Sequence, residues 1–334
     1  MKKWKRPLKV GLVGATGVVG ETFINILEEY EQPIAELRPF ASANSIGIKI
    51  DLAGQSWPVQ VLEPNCFDGL DMVFFSSGDD ISKEWAPQAV RSGAFAIDNS
   101  NAFRMNTEVP LVVPEVNGHL LKKSVAPQII ANPNCSTIQL VVALKPLLDQ
   151  FGLDEVVVST YQAVSGAGLP GYEELIQQTQ NYQEIDHQPK AFSKQILFNC
   201  IPQIGSFGVD GFSTEETKIM NETVKILEAP DLSVSAFTVR IPALNAHSEA
   251  VWVTLKKEVT LDHVKQALAA FSGLALVDED YPTAIEVSGE EPVFVGRVHQ
   301  DRQNKKRWLM WVVSDNLKKG AALNGLQIAE ILFS

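Results

Sequence analysis

The run LKVGLVGATGVVGETFINILEE, from Leu8 to Glu29, constrains the fold more than any other part of the chain. Leu8 to Val13 is a short apolar run that ends at a glycine, the pattern of a strand buried on both faces. Gly14, Gly17 and Gly20 follow, and then Val18, Val19, Phe23, Ile24, Ile26 and Leu27 recur at helical spacing up to the polar stop Glu28-Glu29-Tyr30. Strand, glycine turn and helix in that order predict a backbone that can approach a ligand closely. The helix N-terminus there offers free N–H groups and partial positive charge to an anion such as a pyrophosphate. The spacing is GxxGxxG rather than GxGxxG, so a bare strand–helix turn is the competing reading; the strand before and the helix after it favour the ligand.

The alternation continues. Strands are predicted at Ile34–Phe40, Asp71–Ser76 and Ala94–Asp98, a hairpin over Ile48–Leu62 around Ala53-Gly54, and a helix over Ile81–Ser92 stopped by Gly93. This is the signature of an α/β, doubly wound, mostly parallel sheet of the Rossmann type. After about Asn132 the character changes. Val156–Gln162, Val234–Ile241, Glu249–Leu255, Val293–Val298 and Trp308–Val313 are longer and alternate, as in a mostly antiparallel sheet with one covered face. Helices are predicted near Ser136–Phe151, Gly171–Tyr182, Thr214–Leu227 and Leu261–Phe271, with an amphipathic helix over Leu317–Leu332 at the end. Asn181–Lys194 is polar and reads as a loop. The second half is therefore an α+β domain.

A chain of 334 residues suits two domains. Its net charge of −12 makes it a poor general binder of nucleic acid or anionic membrane, so any anionic ligand must be held by a few local basic residues. The three cysteines, Cys66, Cys135 and Cys200, form no CxxC pair and no metal site, which points to a reducing compartment, the cytoplasm. The basic opening MKKWKRPLKV leads into an apolar run broken by glycines, so neither a signal peptide nor a membrane span is expected.

Cys135 is the cysteine with a chemical setting. It lies in NPNCST, between Pro133 and the apolar helix predicted from near Ser136, where the positive end of the helix favours the thiolate. An ordinary buried thiol is the competing reading. Cys66 and Cys200 have no such setting and read as structural. A nucleophilic cysteine needs a proton-handling partner, and the histidines are His119, His187, His247, His263 and His299. His247 sits between two strong strand patterns, with Arg240 shortly before it. His119, His187 and His263 read as solvated; His299, in a strand–turn setting, stays open. The loop after the second strand, Ala41 to Ser45, carries no carboxylate to bind ribose hydroxyls, and its hydroxyls and amide suit a 2′-phosphate, which favours NADP over NAD.

The segments GATGVVG, NAFR with VPLVVPEVN, NPNCST, YQAVSGAG, EETK with MNETVKI, VRIPALNAHSE and DNLKKGAALNGLQIAE occur in this order and span nearly the whole chain. Together they resemble the aspartate-β-semialdehyde dehydrogenases. The resemblance implies Cys135 as nucleophile, His247 as general acid/base and Gln162 as the group that orients the acyl carbonyl. Arg240 would clamp the substrate α-carboxylate, Glu215 would meet its ammonium, and Arg104, Asn134 and Lys218 would bind phosphate. Gly14, Ala15, Thr16, Gly17, Val18, Val19, Ser42, Asn44, Ser45 and Ser76 would hold the cofactor, with Ser165, Gly166 and Asn316 at its nicotinamide half. The implied reaction is NADPH-dependent reduction of L-aspartyl-4-phosphate to aspartate semialdehyde and phosphate, which feeds lysine (through diaminopimelate), threonine, methionine and isoleucine synthesis. The implied architecture is an NADP-binding domain of residues 1–131 with 316–334, and a catalytic and dimerisation domain of 132–315 that forms a homodimer, with no nucleic-acid or membrane partner.

One position departs from the family pattern. Members that favour NADPH commonly carry arginine in an S-x-R-S-x-G loop, and this chain has Asn44 there, which implies a weaker preference for NADPH over NADH. Two readings compete with the resemblance: an N-acetyl-γ-glutamyl-phosphate reductase, whose cysteine motif differs from NPNCST, and a non-catalytic nucleotide-binding relative, which should have lost Cys135 or His247.

Overall fold

The computed structural model describes residues 1–121, 126–183 and 188–334. They gather into two compact units: Met1–Asn134 with Ala321–Ser334, and Cys135–Gly320.

The first unit is wound around a five-stranded parallel sheet of order β2-β1-β5-β6-β7. Its elements run β1 (Leu8–Val13), α1 (Val18–Glu29), β2 (Ile34–Phe40), the hairpin β3 (Lys49–Leu52) and β4 (Gln55–Pro58), β5 (Met72–Phe75), α2 (Asp79–Arg91), β6 (Phe95–Asp98), the short α3 (Pro114–Asn117) and β7 (Ile129–Ala131). Because side chains alternate along a strand, each strand feeds two cores. Val10, Leu12, Met72, Phe74 and Ile97 pack on one face with Phe23 and Ile26 of α1, and with Leu323, Leu326 and Ile328 of the C-terminal helix Leu323–Phe333. Val13, Val73, Phe75 and Ala96 pack on the other with Ala86 and Ala89 of α2. Burial on both faces is why these strands read as unbroken apolar runs. The order reverses at β1: the chain moves out to β2, then returns to lay β5 on the other side. In sheets of this kind, ligands bind beyond the strand ends at such a switch point.

The second unit holds a six-stranded mixed sheet of order β11-β12-β13-β10-β8-β9. Its elements are α4 (Cys135–Phe151), β8 (Leu153–Gln162), α5 (Gly168–Gln180), α6 (Thr214–Ile226), β9 (Ser233–Arg240), β10 (His247–Leu255), α7 (Leu261–Ala269), β11 (Leu274–Val277), α8 (Ala284–Val287), β12 (Val293–Gln300) and β13 (Arg307–Ser314). Its three inner pairings are antiparallel, as expected of a mostly antiparallel sheet, while both edge pairings, β8 with β9 and β11 with β12, are parallel. Helices α4, α6 and α7 cover one face. The other face carries Val157, Tyr161, Trp252 and Trp311; α8 packs Ala284 and Val287 against Phe294, Trp311 and Val313 at one part of it, and the Tyr161 and Trp311 rings lie 5.5 Å apart there.

Two expectations are corrected. The C-terminal segment is not one amphipathic helix: a π-helical turn over Lys318–Ala322 precedes the α-helix, and that helix is buried around most of its girth. Cys200 is exposed rather than a packed structural thiol, whereas Cys66 is half-buried beside the second core of the first unit. Among the described residues no helix is long and apolar enough to cross a membrane.

Candidate active site

In the first unit the glycine turn follows β1 at the switch point. Gly14 adopts φ +86°, a left-handed conformation that favours glycine, and a methyl on it would lie 2.7 Å from Ser76 Oγ and 2.8 Å from Ser76 O. Ser76, one residue past β5, donates from its hydroxyl to Val13 O at 3.0 Å. The ends of the two strands that part at the switch point are therefore locked against each other. A side chain on Gly20 would drive into the Gly14 carbonyl, so this helix residue too must be glycine. Gly17 is the N-cap of α1 and offers no side chain to its first-turn N–H groups. Val18 and Val19 open that helix. Thr16 Oγ1 lies 3.5 Å from Ser45 Oγ, which joins the turn to the loop of Ser42, Asn44 and Ser45 beyond β2. Ser42 and Asn44 are exposed, and Ala15 is buried beneath the turn. The result is a cradle of small residues lined by N–H and hydroxyl groups, which fits a dinucleotide pyrophosphate and ribose.

Arg104 is also in this unit and is buried. Its Nε donates to Asn132 O at 3.0 Å and its Nη2 to Asn99 O at 2.9 Å. The Asn132 side chain is held in turn, donating to Asn99 Oδ1 and accepting from Asn324 Nδ2, both at 2.7 Å. The guanidinium is thus oriented by the backbone that leads through Asn134, also buried, to Cys135.

In the second unit Cys135 is the first residue of α4 and is half-buried. A methyl on Gly320 would lie 2.9 Å from its Cβ, so the π-helical turn passes directly against the cysteine. Beyond the ends of β8 and β9 the segments Ala163–Ser165 and Ala243–Leu244 hydrogen-bond to each other, Val164 N to Ala243 O at 2.8 Å and Ser165 N to Leu244 O at 3.2 Å. Ala246 then takes φ +67°, unusual for alanine, and this turn brings His247 into the first position of β10. His247 is fully buried. Its Nδ1 accepts from Ala163 N at 3.1 Å, and among the described residues its Nε2 has no hydrogen-bond partner. Burial first, and the neighbouring Arg240 charge second, push the imidazole well below its ordinary range.

Arg240, the last residue of β9, donates to Ala163 O at 2.6 Å and lies over the Phe192 ring at 5.9 Å. Burial lowers its pKa, while Glu215 and Cys135 oppose that shift. A methyl on Gly166 would lie 2.8 Å from Arg240 Nη1 and 3.0 Å from His247 Nε2. Gly166 therefore marks a point that both side chains reach. Gln162, at the end of β8, donates to Glu215 at 3.3 Å and to Thr160 at 3.2 Å. Glu215 is buried in the first turn of α6, whose start is set by a capping box between Ser213 and Glu216. Glu215 pairs with Lys218 at 3.3 Å, so two residues expected at opposite ends of a substrate face each other here. Ser165 Oγ lies 3.0 Å from Asn316 Oδ1 and 3.1 Å from Asn245 Oδ1.

The first unit matches the family model "Semialdehyde dehydrogenase, NAD binding domain" over residues 9–124, and the second matches "Semialdehyde dehydrogenase, dimerisation domain" over residues 144–319. The chain is 46% identical to the aspartate-semialdehyde dehydrogenase of Aquifex aeolicus, with 97% of each chain covered, and 44% identical to that of Bacillus subtilis, with 98% of each covered. The chain belongs to the aspartate-semialdehyde dehydrogenase family. Among solved structures of this family, aspartate-semialdehyde dehydrogenase II of Vibrio cholerae, complexed with ASA, superposes with a TM-score of 0.93 at 40% identity, covering 98% of both chains. A Candida albicans aspartate-semialdehyde dehydrogenase solved with NADP superposes with a TM-score of 0.74 at 27% identity, covering 97% of this chain and 98% of that one.

For a member of the aspartate-semialdehyde dehydrogenase family, the other histidines fall away from the cluster: His119, His263 and His299 are exposed, and His187 lies outside the described residues. Four participants were not read from the sequence. Ala163 acts through its backbone, Phe192 lies under Arg240, Gly320 backs the cysteine, and Asn245 links Ser165 to Asp315. Only Asn245 left a signal, two residues before His247 in NAHSE.

Proposed function

We propose that the chain catalyses NADPH-dependent reductive dephosphorylation of L-aspartyl-4-phosphate to L-aspartate-4-semialdehyde through a thioester on Cys135, in the biosynthesis of the aspartate family of amino acids. The observation that carries this reading is the convergence of Arg240 and His247 on Gly166, in the same unit as a cysteine at a helix start. Arg240 presents a planar fork to the α-carboxylate and Glu215 receives the ammonium. Arg104, Asn134 and Lys218 take the phosphate.

The Cys135 thiolate attacks the acyl carbon, and phosphate leaves with the C–O electron pair. Bound at the glycine turn, the nicotinamide cofactor supplies hydride. The C–S bond then breaks, its electrons return to sulfur, and the aldehyde is released. Gln162 orients the carbonyl. His247 offers its Nε2–H to the oxygen that carries negative charge at each tetrahedral stage. The glycine cradle and Ser76 hold the cofactor, with Ser165, Gly166 and Asn316 at its nicotinamide end. The loop of Ser42, Asn44 and Ser45 admits a 2′-phosphate because no carboxylate repels it. The sheet face bearing Trp252, Tyr161 and Trp311, which α8 covers only in part, is the surface on which two copies form a homodimer. The cytoplasm is the compartment.

The test is the reverse reaction: aspartate semialdehyde, phosphate and NADP, followed by NADPH absorbance, with lanes that omit phosphate or replace NADP by NAD. Phosphate-dependent NADPH formation supports the proposal. Silence from folded protein that binds NADP refutes it and directs the search to an N-acetylated, longer acyl phosphate.

A further inference from the structure

Two buried polar side chains beneath the cysteine half-site take no part in this chemistry. Glu249 lies on β10 two residues after His247, so both side chains point to the same face of the sheet, the one covered by α4. Glu249 is fully buried, and neither carboxyl oxygen makes a well-formed hydrogen bond to any of the described residues. Gln139 lies on α4 one turn after Cys135, on the same side of the helix. It too is buried, and both of its amide atoms also lack well-formed partners among the described residues.

Among the described residues, no cation stands in register with Glu249 or beside it on its own strand. Its register neighbours are Thr160 on β8 and Val312 on β13. On the same face β8 adds Gln162, β13 adds Ser314, and β10 itself adds His247 and Val251. From α4 come Cys135 and Gln139. The titratable groups among these described neighbours are Cys135 and His247, and neither is a cation that would hold a carboxylate. Burial accordingly raises the Glu249 pKa well above the carboxylate range, and the Gln139 amide is the group that opposes the shift.

A protonated carboxyl has one O–H donor and one carbonyl acceptor, the complement of an amide's N–H and C=O. The two can therefore pair without charge. Neutrality matters here, because a carboxylate two residues from His247 would favour the imidazolium.

We propose that Glu249 is a positioning residue: as a neutral acid it meets Gln139 and ties the strand that carries His247 to the helix that carries Cys135. The proposal rests on the roles given above to Cys135 and His247. It assigns the glutamate of the NAHSE segment a part in holding the imidazole against the thiol.

The experiment compares Glu249→Gln, Glu249→Ala, Gln139→Leu and the double variant Glu249→Ala/Gln139→Leu with the parent enzyme. It measures kcat and KM for the semialdehyde across about pH 6 to 9, and melting temperature over the same range. Glu249→Gln should keep kcat within about threefold with an unchanged pH profile. Glu249→Ala and Gln139→Leu should each lower kcat at least about tenfold with little change in KM, and the double variant should be no worse than either, as for two halves of one contact. The melting temperature of Glu249→Gln should rise relative to the parent as pH increases, because the parent must keep a proton that its unfolded chain releases above about pH 4.3.

A Glu249→Gln variant as impaired as Glu249→Ala, with a displaced pH profile, would mean that an ionised carboxylate serves His247 and would overturn the proposal. Folded Glu249→Ala with parental kcat would overturn it too. The proposed function fails separately, if the parent shows no phosphate-dependent oxidation; the pH dependence of melting would still report the state of Glu249.

Discussion

The backbone N–H of Ala163 donates to Nδ1 of His247, and this fixes which ring nitrogen can carry a proton. An N–H can only donate, so Nδ1 must accept, and the neutral imidazole holds its hydrogen on Nε2. Burial, then Arg240, keep the ring neutral. Nitrogen-resolved NMR, assigned with His247→Asn, should show a neutral Nε2–H tautomer at about pH 7 that persists below the ordinary histidine pKa of about 6.5. An Nδ1–H or imidazolium signal at neutral pH would contradict this. The sign of the linkage follows: the unfolded chain binds a proton below about pH 6.5 while the native ring does not, so this contribution to stability is present above that pH and is lost as pH falls.

Gly166→Ala tests the convergence of Arg240 and His247. The added methyl would lie 2.8 Å from one and 3.0 Å from the other, yet Gly166 is not among the positive-φ glycines. We expect kcat/KM to fall at least about tenfold while melting temperature changes by no more than about 3 °C. A large loss of stability with normal turnover per folded molecule would place the effect in the backbone instead.

Arg240→Lys replaces a planar fork by a point charge in a buried site. Loss of charge-assisted hydrogen bonding worth about 1.5–3 kcal/mol should raise KM for the semialdehyde roughly tenfold to hundredfold, with a smaller effect on kcat. An unchanged KM would remove Arg240 from the carboxylate end of the substrate.

Asn44→Arg should sharpen cofactor choice. Asn44 is exposed in the loop beyond β2, so an arginine there is free to reach a 2′-phosphate. The ratio of kcat/KM for NADPH to that for NADH should rise at least about tenfold, through a charge-assisted bond that NADH cannot make. Equal gains with both cofactors would mean that the residue contacts something they share.

Trp252→Glu places a charge on the part of the second unit's sheet face that α8 leaves open, between Val157 and Leu309 in register and near Arg307, which already pairs with Glu155. Sedimentation velocity should show a dimer for the parent and a species shifted to monomer for the variant, because desolvating a carboxylate at the core of an interface is strongly disfavoured. A dimer that persists would locate the interface elsewhere.

What the sequence made legible was local. The glycine turn could be placed because a strand, three glycines and a helical apolar stripe are contiguous, and α1, α2, α6 and β2 lie within about two residues of their predicted bounds, near the usual uncertainty of element ends. His247 stood out because it sits between two strong strand patterns, shortly after Arg240. What stayed hidden depends on residues brought together by the sheet order. Phe192 under Arg240 and Gly320 against Cys135 are contacts between distant segments, and a backbone donor such as Ala163 N leaves no mark in side-chain chemistry. The strands β7 and β11 are too short to show a period.

The C-terminal helix lends Leu323, Leu326 and Ile328 to the core under β1 and β5, although the whole second unit intervenes in the chain. During synthesis the glycine turn therefore leaves the ribosome well before its supporting core can close, since closure must await Leu323, Leu326 and Ile328. Closing so long a loop is entropically costly for an unfolded excursion. It becomes cheaper once the second unit has folded, since its first and last residues, Cys135 and Gly320, then lie against each other. A chain truncated by a dozen residues at its C-terminus should thus leave the second unit intact and expose the apolar face of the first, making the nucleotide-binding half the part that chaperones must guard.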